Sequence, residues 1–210
     1  MKLSPRLKAI TQLTPSPCKH YYDLYCDHGK VGQWVLNNKK SKAVTFVDIR
    51  EHLISQIAKV TKLPATFLKT QDARSMTFAD GSFISMCGVG GYLIIECLKH
   101  YWLHNNFKTQ TFLISANMHT FELRKYLMDN NYYASHDAIT LDQGRCYEVL
   151  IVRYSPEQSN ICLFNEFAWN KQNITQKRFL TSKLQTLRDK KDNLDWELVL
   201  KEQLERFVLE

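Results

Sequence analysis

The chain has 210 residues, of which 44% are hydrophobic and 23% charged, a balance ordinary for a soluble globular protein of one domain plus an extension. Lysine and arginine number 28 against 21 acids, for a net charge of +7. No apolar run reaches the ~18 residues of a membrane span, and the start MKLSPRLKAI lacks the apolar stretch and cleavage site of a signal peptide. The six cysteines form no C-x-x-C pair and the seven histidines no H-E-x-x-H spacing. They predict reduced, mostly buried thiols in a cytoplasmic protein and no metal site.

In chain order, residues 3 to 13 read as a short amphipathic helix with Leu3, Leu7, Ile10 and Leu13 on one side, ended by Pro15 and Pro17. HYYDLY is a first strand and GKVGQWVLNN a helix beginning right after a turn. KAVTFVDI is a strand, and REHLISQIAKV a helix with Leu53, Ile57 and Val60 spaced for a core face. ATFLKTQDA is a weaker third strand, and GSFISMCGVGG a buried strand running into a glycine turn. The helix YLIIECLKHYWLHN, the strand QTFLISAN and the helix HTFELRKYLMDNN follow. ASHDAITLDQGRCYEVLIVRYS reads as two strands around a turn at DQGR.

Strands alternating with helices predict an α/β fold with a mainly parallel sheet covered on both faces. The closing pair of adjacent strands predicts a last strand inserted antiparallel, as in the Rossmann-like class I methyltransferase fold, rather than the all-parallel sheet of a dehydrogenase.

Beyond about Phe167 the pattern turns polar and helical. Leu180, Leu184 and Leu187 share one face of a first helix, and Trp196, Leu200, Leu204 and Phe207 one face of a second, with DKKDN between them. Residues 171–191 carry Lys171, Lys177, Arg178, Lys183, Arg188, Lys190 and Lys191 against Asp189 alone, while residues 192–210 carry six acids against Lys201 and Arg206. Opposite charges flanking an apolar seam predict an antiparallel helical hairpin. The expected division is a core of residues 1–160, with an N-terminal helix in 1–17, and a helical extension of residues 161–210. The first 20 residues likewise carry Lys2, Arg6, Lys8 and Lys19 with no acid, and two such basic segments suit a polyanion; a solvated face or a dimer contact is the plainer reading of the second.

Asp48 ends the second strand, 25 residues after Asp23. An acid there accepts hydrogen bonds from nucleotide ribose hydroxyls, or else caps the helix that follows. Asp72, after the third strand, is placed to reach an adenine amino group, or is a turn residue. In CGVGG, Gly88, Gly90 and Gly91 free backbone N–H groups at a helix start and let a ligand approach, or make a tight turn only. In the turn DLYCDHG, Asp23 and Asp27 would repel a pyrophosphate. They suit instead the cationic methionine end of S-adenosylmethionine (SAM), which favours methyl transfer over hydride transfer.

These segments resemble the bacterial tRNA adenine-22 N1-methyltransferases, the TrmK family, from LSPRLKAI through DLYCDHGKVG, CGVGG, LISAN and LRKYLMDNNY to GRCYEVLIV, roughly residues 3–153. The family's Asp, glycine two later, then Asp-His stands here as Asp23, Tyr25, Asp27 and His28. Its AGMGG stands as Cys87 to Gly91, and its QPN as Ser115-Ala116-Asn117. The resemblance implies a SAM site of Asp23, Tyr25, Cys26, Asp27, His28, Asp48, Ile49, Asp72, Ala73, Cys87, Gly88 and Gly90. It implies Asp27, His28 and Asn117 as catalytic groups that orient the base or the methionine end. It places Arg6, Lys8, Gly91, Asn117, Lys177, Arg178 and Lys183 against tRNA, in a monomer or weak homodimer with no membrane partner. Tyr25 replaces a glycine against which the cofactor lies, and Ala116 replaces a loop-stiffening proline. A second class therefore stands beside the first: a non-catalytic RNA-binding relative on the same fold. A methyltransferase for small molecules or proteins is a third, disfavoured by the basic segments.

Overall fold

The computed structural model describes residues 3–61, 66–104, 108–157 and 159–209. Ala65, expected to open the third strand, and the TKLP residues from Lys62 lie outside them. The apolar strands pair into one sheet. They are β1 (Tyr21–Leu24), β2 (Val44–Asp48), β3 (Thr66–Thr70), β4 (Phe83–Cys87), β5 (Thr111–Ser115), β6 (Tyr132–Asp142) and β7 (Arg145–Tyr154). Their order is β3-β2-β1-β4-β5-β7-β6. The first five run parallel, and β7 pairs antiparallel with both β5 and β6. The antiparallel insertion expected from the closing strand pair is therefore present. Gln143 and Gly144 both take positive φ between β6 and β7 (49° and 74°), the geometry of a two-residue hairpin turn.

Helices α1 (Pro5–Gln12), α2 (Lys30–Asn37) and α3 (Glu51–Val60) share a core with Tyr21, Phe46, Phe83 and Leu113 of the sheet. Helices α4 (Gly91–Leu103) and α5 (Thr120–Asp129) share another with Leu24, Ile84, Met86 and Ile114. Alternate strand residues thus feed opposite faces, as the period of two requires. On α3 the buried side is Leu53, Ile54 and Ile57, whereas Val60 is 67% exposed. Val60 is the last helical residue, beyond the part of the helix that meets the sheet.

The C-terminal hairpin is present as α6 (Ile174–Asp189) and α7 (Asp195–Leu209). Leu180, Leu184, Leu187, Leu200 and Leu204 pack with Phe121 of α5 and with Leu163, Phe164 and Trp169 of the connecting segment. Arg188 pairs with Glu205 at 2.9 Å and Lys190 with Glu197 at 2.5 Å across the seam. No helix among the described residues is long and apolar enough to cross a membrane.

Candidate functional site

The strand order reverses direction between β1 and β4, and the loops leaving the carboxyl ends of these strands open a crevice there. A cavity of about 630 Å³ occupies it. A second, of about 150 Å³, adjoins it toward the short turn Ala73–Ser75. Tyr25, Asp48, Ile49 and Leu93 line both, so they form the wall between two chambers.

Asp23 lies in the larger chamber and is 4% exposed. Its Oδ2 accepts from the Gly32 amide in the first turn of α2, and its Oδ1 from the Ser85 hydroxyl, both at 2.9 Å. An added Cβ on Gly32 would lie 2.4 Å from the Phe46 ring and 3.0 Å from Asp23 Oδ2, so glycine is what lets the helix close on the carboxylate. Burial pushes Asp23 up to about 7, against the pull of these two donors.

Asp48, at the end of β2, is 3% exposed. Oδ1 accepts from the Arg50 amide (3.0 Å) and Nε (2.9 Å), and Oδ2 from Arg50 Nη2 (3.0 Å) and the Asp27 amide (3.2 Å). Burial pushes the carboxyl up, but Arg50 and the amides outweigh it and hold Asp48 below its ordinary value. Arg50, not Asp48, holds the N-cap position of α3, so the helix-cap reading of Asp48 gives way to an arginine clasp. Asp72 repeats the arrangement in the smaller chamber. It accepts from the Arg74 amide (2.9 Å) and from Nη2 (2.6 Å), and Arg74 holds it below its ordinary value. Arg50 and Arg74 are absent from the set expected from the sequence. Their signal was the same Asp-x-Arg triplet, twice, after two neighbouring strands.

Tyr25 takes φ 56°, the left-handed region, which costs a non-glycine residue about 1–2 kcal/mol. Its hydroxyl lies 2.9 Å from Cys97 Sγ on α4, which fixes the ring in the partition. Asp27 and His28 are more than half exposed at the mouth. Asp27 lies 3.4 Å from Arg50 Nη2 and 3.8 Å from His28 Nε2. Cys26, Ile49 and Cys87 also line the larger chamber, and Ala73 the smaller.

The two readings of CGVGG divide between its glycines. Gly88 lines the larger chamber at φ 97° with nothing within 4 Å of an added Cβ. Gly91 is a packing glycine: its Cβ would fall 2.2 Å from the His119 carbonyl oxygen. The Gly91 amide donates to Met118 O and the Asn117 amide to Val89 O, both at 2.8 Å, so the loops after β4 and β5 form one frame. Gly90 caps α4 and lines neither chamber.

Asn117 is exposed on that frame. Its Oδ1 accepts from Arg6 Nη1 at 2.7 Å and its amide donates to Gly88 O, leaving one proton and one lone pair free for a ligand. Arg6, expected at tRNA phosphates, is 9% exposed. It donates to Ser115 O (2.6 Å) and Ser115 Oγ (3.2 Å) and lies 4.1 Å over the Tyr147 ring, which ties α1 to the β5 loop. Lys183 lies 3.8 Å from Glu122 and 5.3 Å over Phe121, facing α5. Lys8, Lys177 and Arg178 are exposed, the last two along a shallow groove on α6. No group of His, Cys, Asp and Glu among the described residues is arranged to hold a metal ion.

A methyltransferase domain matches residues 3–150. The chain belongs to the methyltransferase-domain family. Two similar solved structures of the fold are TrmK from M. capricolum with S-adenosylhomocysteine (18% identity, TM-score 0.73, covering 99% of this chain and 96% of that one) and the m1A22 tRNA methyltransferase TrmK from B. subtilis (19%, 0.75, 99% and 96%). Sp1610 from Streptococcus pneumoniae is another (16%, 0.77, 99% and 100%). The coverage takes in the C-terminal hairpin of this methyltransferase-domain protein as well as its sheet. No curated protein matches the sequence.

Proposed function

We propose that this methyltransferase-domain protein is a SAM-dependent tRNA methyltransferase acting on N1 of an adenine. The observation that carries the reading is the line of Asp23, Asp48 and Asp72 along one crevice at the strand-order reversal. The residues fit the cofactor at both ends. Asp23 and the exposed Asp27 suit an ammonium, Asp48 suits ribose hydroxyls, and the smaller chamber pairs Asp72 with the apolar Ile49, Ala73 and Leu93, as an adenine ring requires. The fold likeness to tRNA methyltransferases and the exposed cations Lys8, Lys177 and Arg178 support RNA as the substrate.

Bound SAM supplies an electrophilic methyl group. Adenine N1 already carries a lone pair, so the protein needs no strong base; its work is to place and orient. Asn117 offers its free proton and lone pair to the adenine edge from a frame that the Arg6 and Gly88 contacts immobilise. Asp27 and His28 stand at the mouth, where they orient the base or the methionine end. A base buried in the tRNA stack is extruded to reach this frame.

Tyr25 favours a second reading, a non-catalytic RNA-binding relative, because its ring separates the ammonium end from the adenine end of the crevice. Incubation with SAM and unmodified tRNA transcripts, followed by nucleoside mass spectrometry, separates the two. The first reading predicts 1-methyladenosine, lost when the target adenine is replaced; tRNA binding with no methylated nucleoside supports the second.

A pH dependence follows from Asp23. Its value near 7 means that an ammonium meets an ionised partner only as the pH rises through neutrality. SAM affinity is expected to rise about tenfold per unit between pH 5 and 7, and Asp23→Asn to flatten that slope, as calorimetric titrations at several pH values would read. For folding the sign is opposite. The elevated Asp23 contributes stability that is full below about 4 and lost as the pH rises through about 7.

A further inference from the structure

A separate cavity of about 510 Å³ lies at the seam where the connecting segment meets α7. Two cations, Lys171 and Arg206, face it against one acid, Glu166. Phe167, on the short turn Glu166–Ala168, presents its ring at 93% exposure. The residues on either side of that turn, Phe164 and Trp169, are buried at 6% and 7%, so the chain is anchored before and after the exposed ring. Lys171 Nζ lies 5.9 Å over Phe207, which places a cation beside a second aromatic face. Gln203 also lines the cavity, and its Oε1 is buried with no hydrogen-bond partner among the described residues.

An open aromatic face and flanking cations are the chemistry of a nucleotide site: the ring stacks a base and the cations take its phosphate. We propose that this cavity receives one unpaired nucleotide of bound tRNA, its base on Phe167 and its phosphate near Lys171 and Arg206. The proposal rests on the RNA reading above and adds an anchor outside the methyl-transfer crevice. A free nucleoside monophosphate carries the same chemistry and is the other source of such a ligand.

The test is tRNA affinity by fluorescence anisotropy, over a salt series, for the native protein, Phe167→Ala, Phe167→Tyr and Lys171→Ala. SAM affinity, measured alongside, serves as the control for folding. The proposal predicts about tenfold weaker tRNA binding for Phe167→Ala with an unchanged salt slope, and near-native binding for Phe167→Tyr. It predicts a salt slope lower by about one for Lys171→Ala, and unchanged SAM affinity throughout. Native-like tRNA binding by Phe167→Ala overturns this anchor and leaves the methyltransferase reading intact. Absence of tRNA binding by the native protein overturns both. Phe167-dependent binding of adenosine monophosphate without a Phe167 effect on tRNA assigns the cavity to a free nucleotide and overturns the RNA anchor.

Discussion

Replacing Asp48 with Ala is expected to lower SAM affinity about a hundredfold and to lower the thermal midpoint as well. The carboxylate is 3% exposed, ends β2 and is held in its charged form by Arg50 and two amides. Ribose hydroxyls reach this charged acceptor by displacing the half-exposed Arg50 side chain, whose Nε and Nη2 occupy it; such bonds contribute about 1.5–3 kcal/mol each, and one decade of affinity is about 1.4 kcal/mol. Folding also loses stability: the Asp27 and Arg50 amides lose their acceptor, and a carboxylate held below its ordinary value stabilises the fold at neutral pH, while the half-exposed Arg50 side chain returns to water. Calorimetric titration with SAM, paired with thermal unfolding, reads both sides. A fall of less than threefold in affinity would remove Asp48 from the site.

The largest stability effect is expected at Arg124. This side chain on α5 is 1% exposed, forks onto both oxygens of Asp137 (3.1 and 2.7 Å), reaches Glu148 Oε2 at 3.1 Å and donates from Nε to Cys162 O at 2.7 Å. It therefore joins α5, β6, β7 and the segment leading to the hairpin. Arg124→Leu would strand Glu148, itself 4% exposed, without a counter-charge. Removing one partner of a buried pair costs about 3–5 kcal/mol, a large share of the roughly 5–15 kcal/mol that holds a domain folded. Burial already pushes Glu148 up despite Arg124, and its Oε1 has no partner among the described residues. Without the arginine it rises further. A carboxyl raised in the folded state gives stability that is present at low pH and lost as the pH rises, so the deficit of Arg124→Leu should shrink in acid. Urea titrations of both proteins at pH 7 and pH 5 measure this; an equal deficit at both values would mean that Glu148 is not the stranded charge.

The fold was legible because its signals are local. Alternating apolar strands and amphipathic helices specify a covered parallel sheet, and DQGR marks the hairpin that makes β7 antiparallel. Part of the crevice lining was legible as well: Asp23, Asp48 and Asp72, in or just after successive strands, all line it. What the sequence hid were partnerships across long separations. Arg6 looked like a free surface cation, and burial against the β5 loop has it joining Ser115 and Asn117 instead. The LR and YE dipeptides that help carry the family resemblance are in this chain a buried pair, Arg124 with Glu148, with Tyr147 under Arg6. Arg50 and Arg74 were visible as a repeated triplet, but nothing in one dimension says that each folds back on the acid two residues before it.

Tyr25 is where sequence and structure ask the same question. The position where the resemblance puts a glycine takes a left-handed backbone here, at φ 56°, but carries a ring set between the two chambers and tied to Cys97. Tyr25 lines both chambers, so under the proposed reading a cofactor reaching from Asp23 to Asp72 would have to turn that ring aside. The measurement that tests the account most directly is titration of SAM into the native protein and into Tyr25→Gly. The account predicts micromolar binding by the native protein and about tenfold tighter binding by the variant, which no longer has a ring to displace. No binding by the native protein, whatever the variant does, would contradict it.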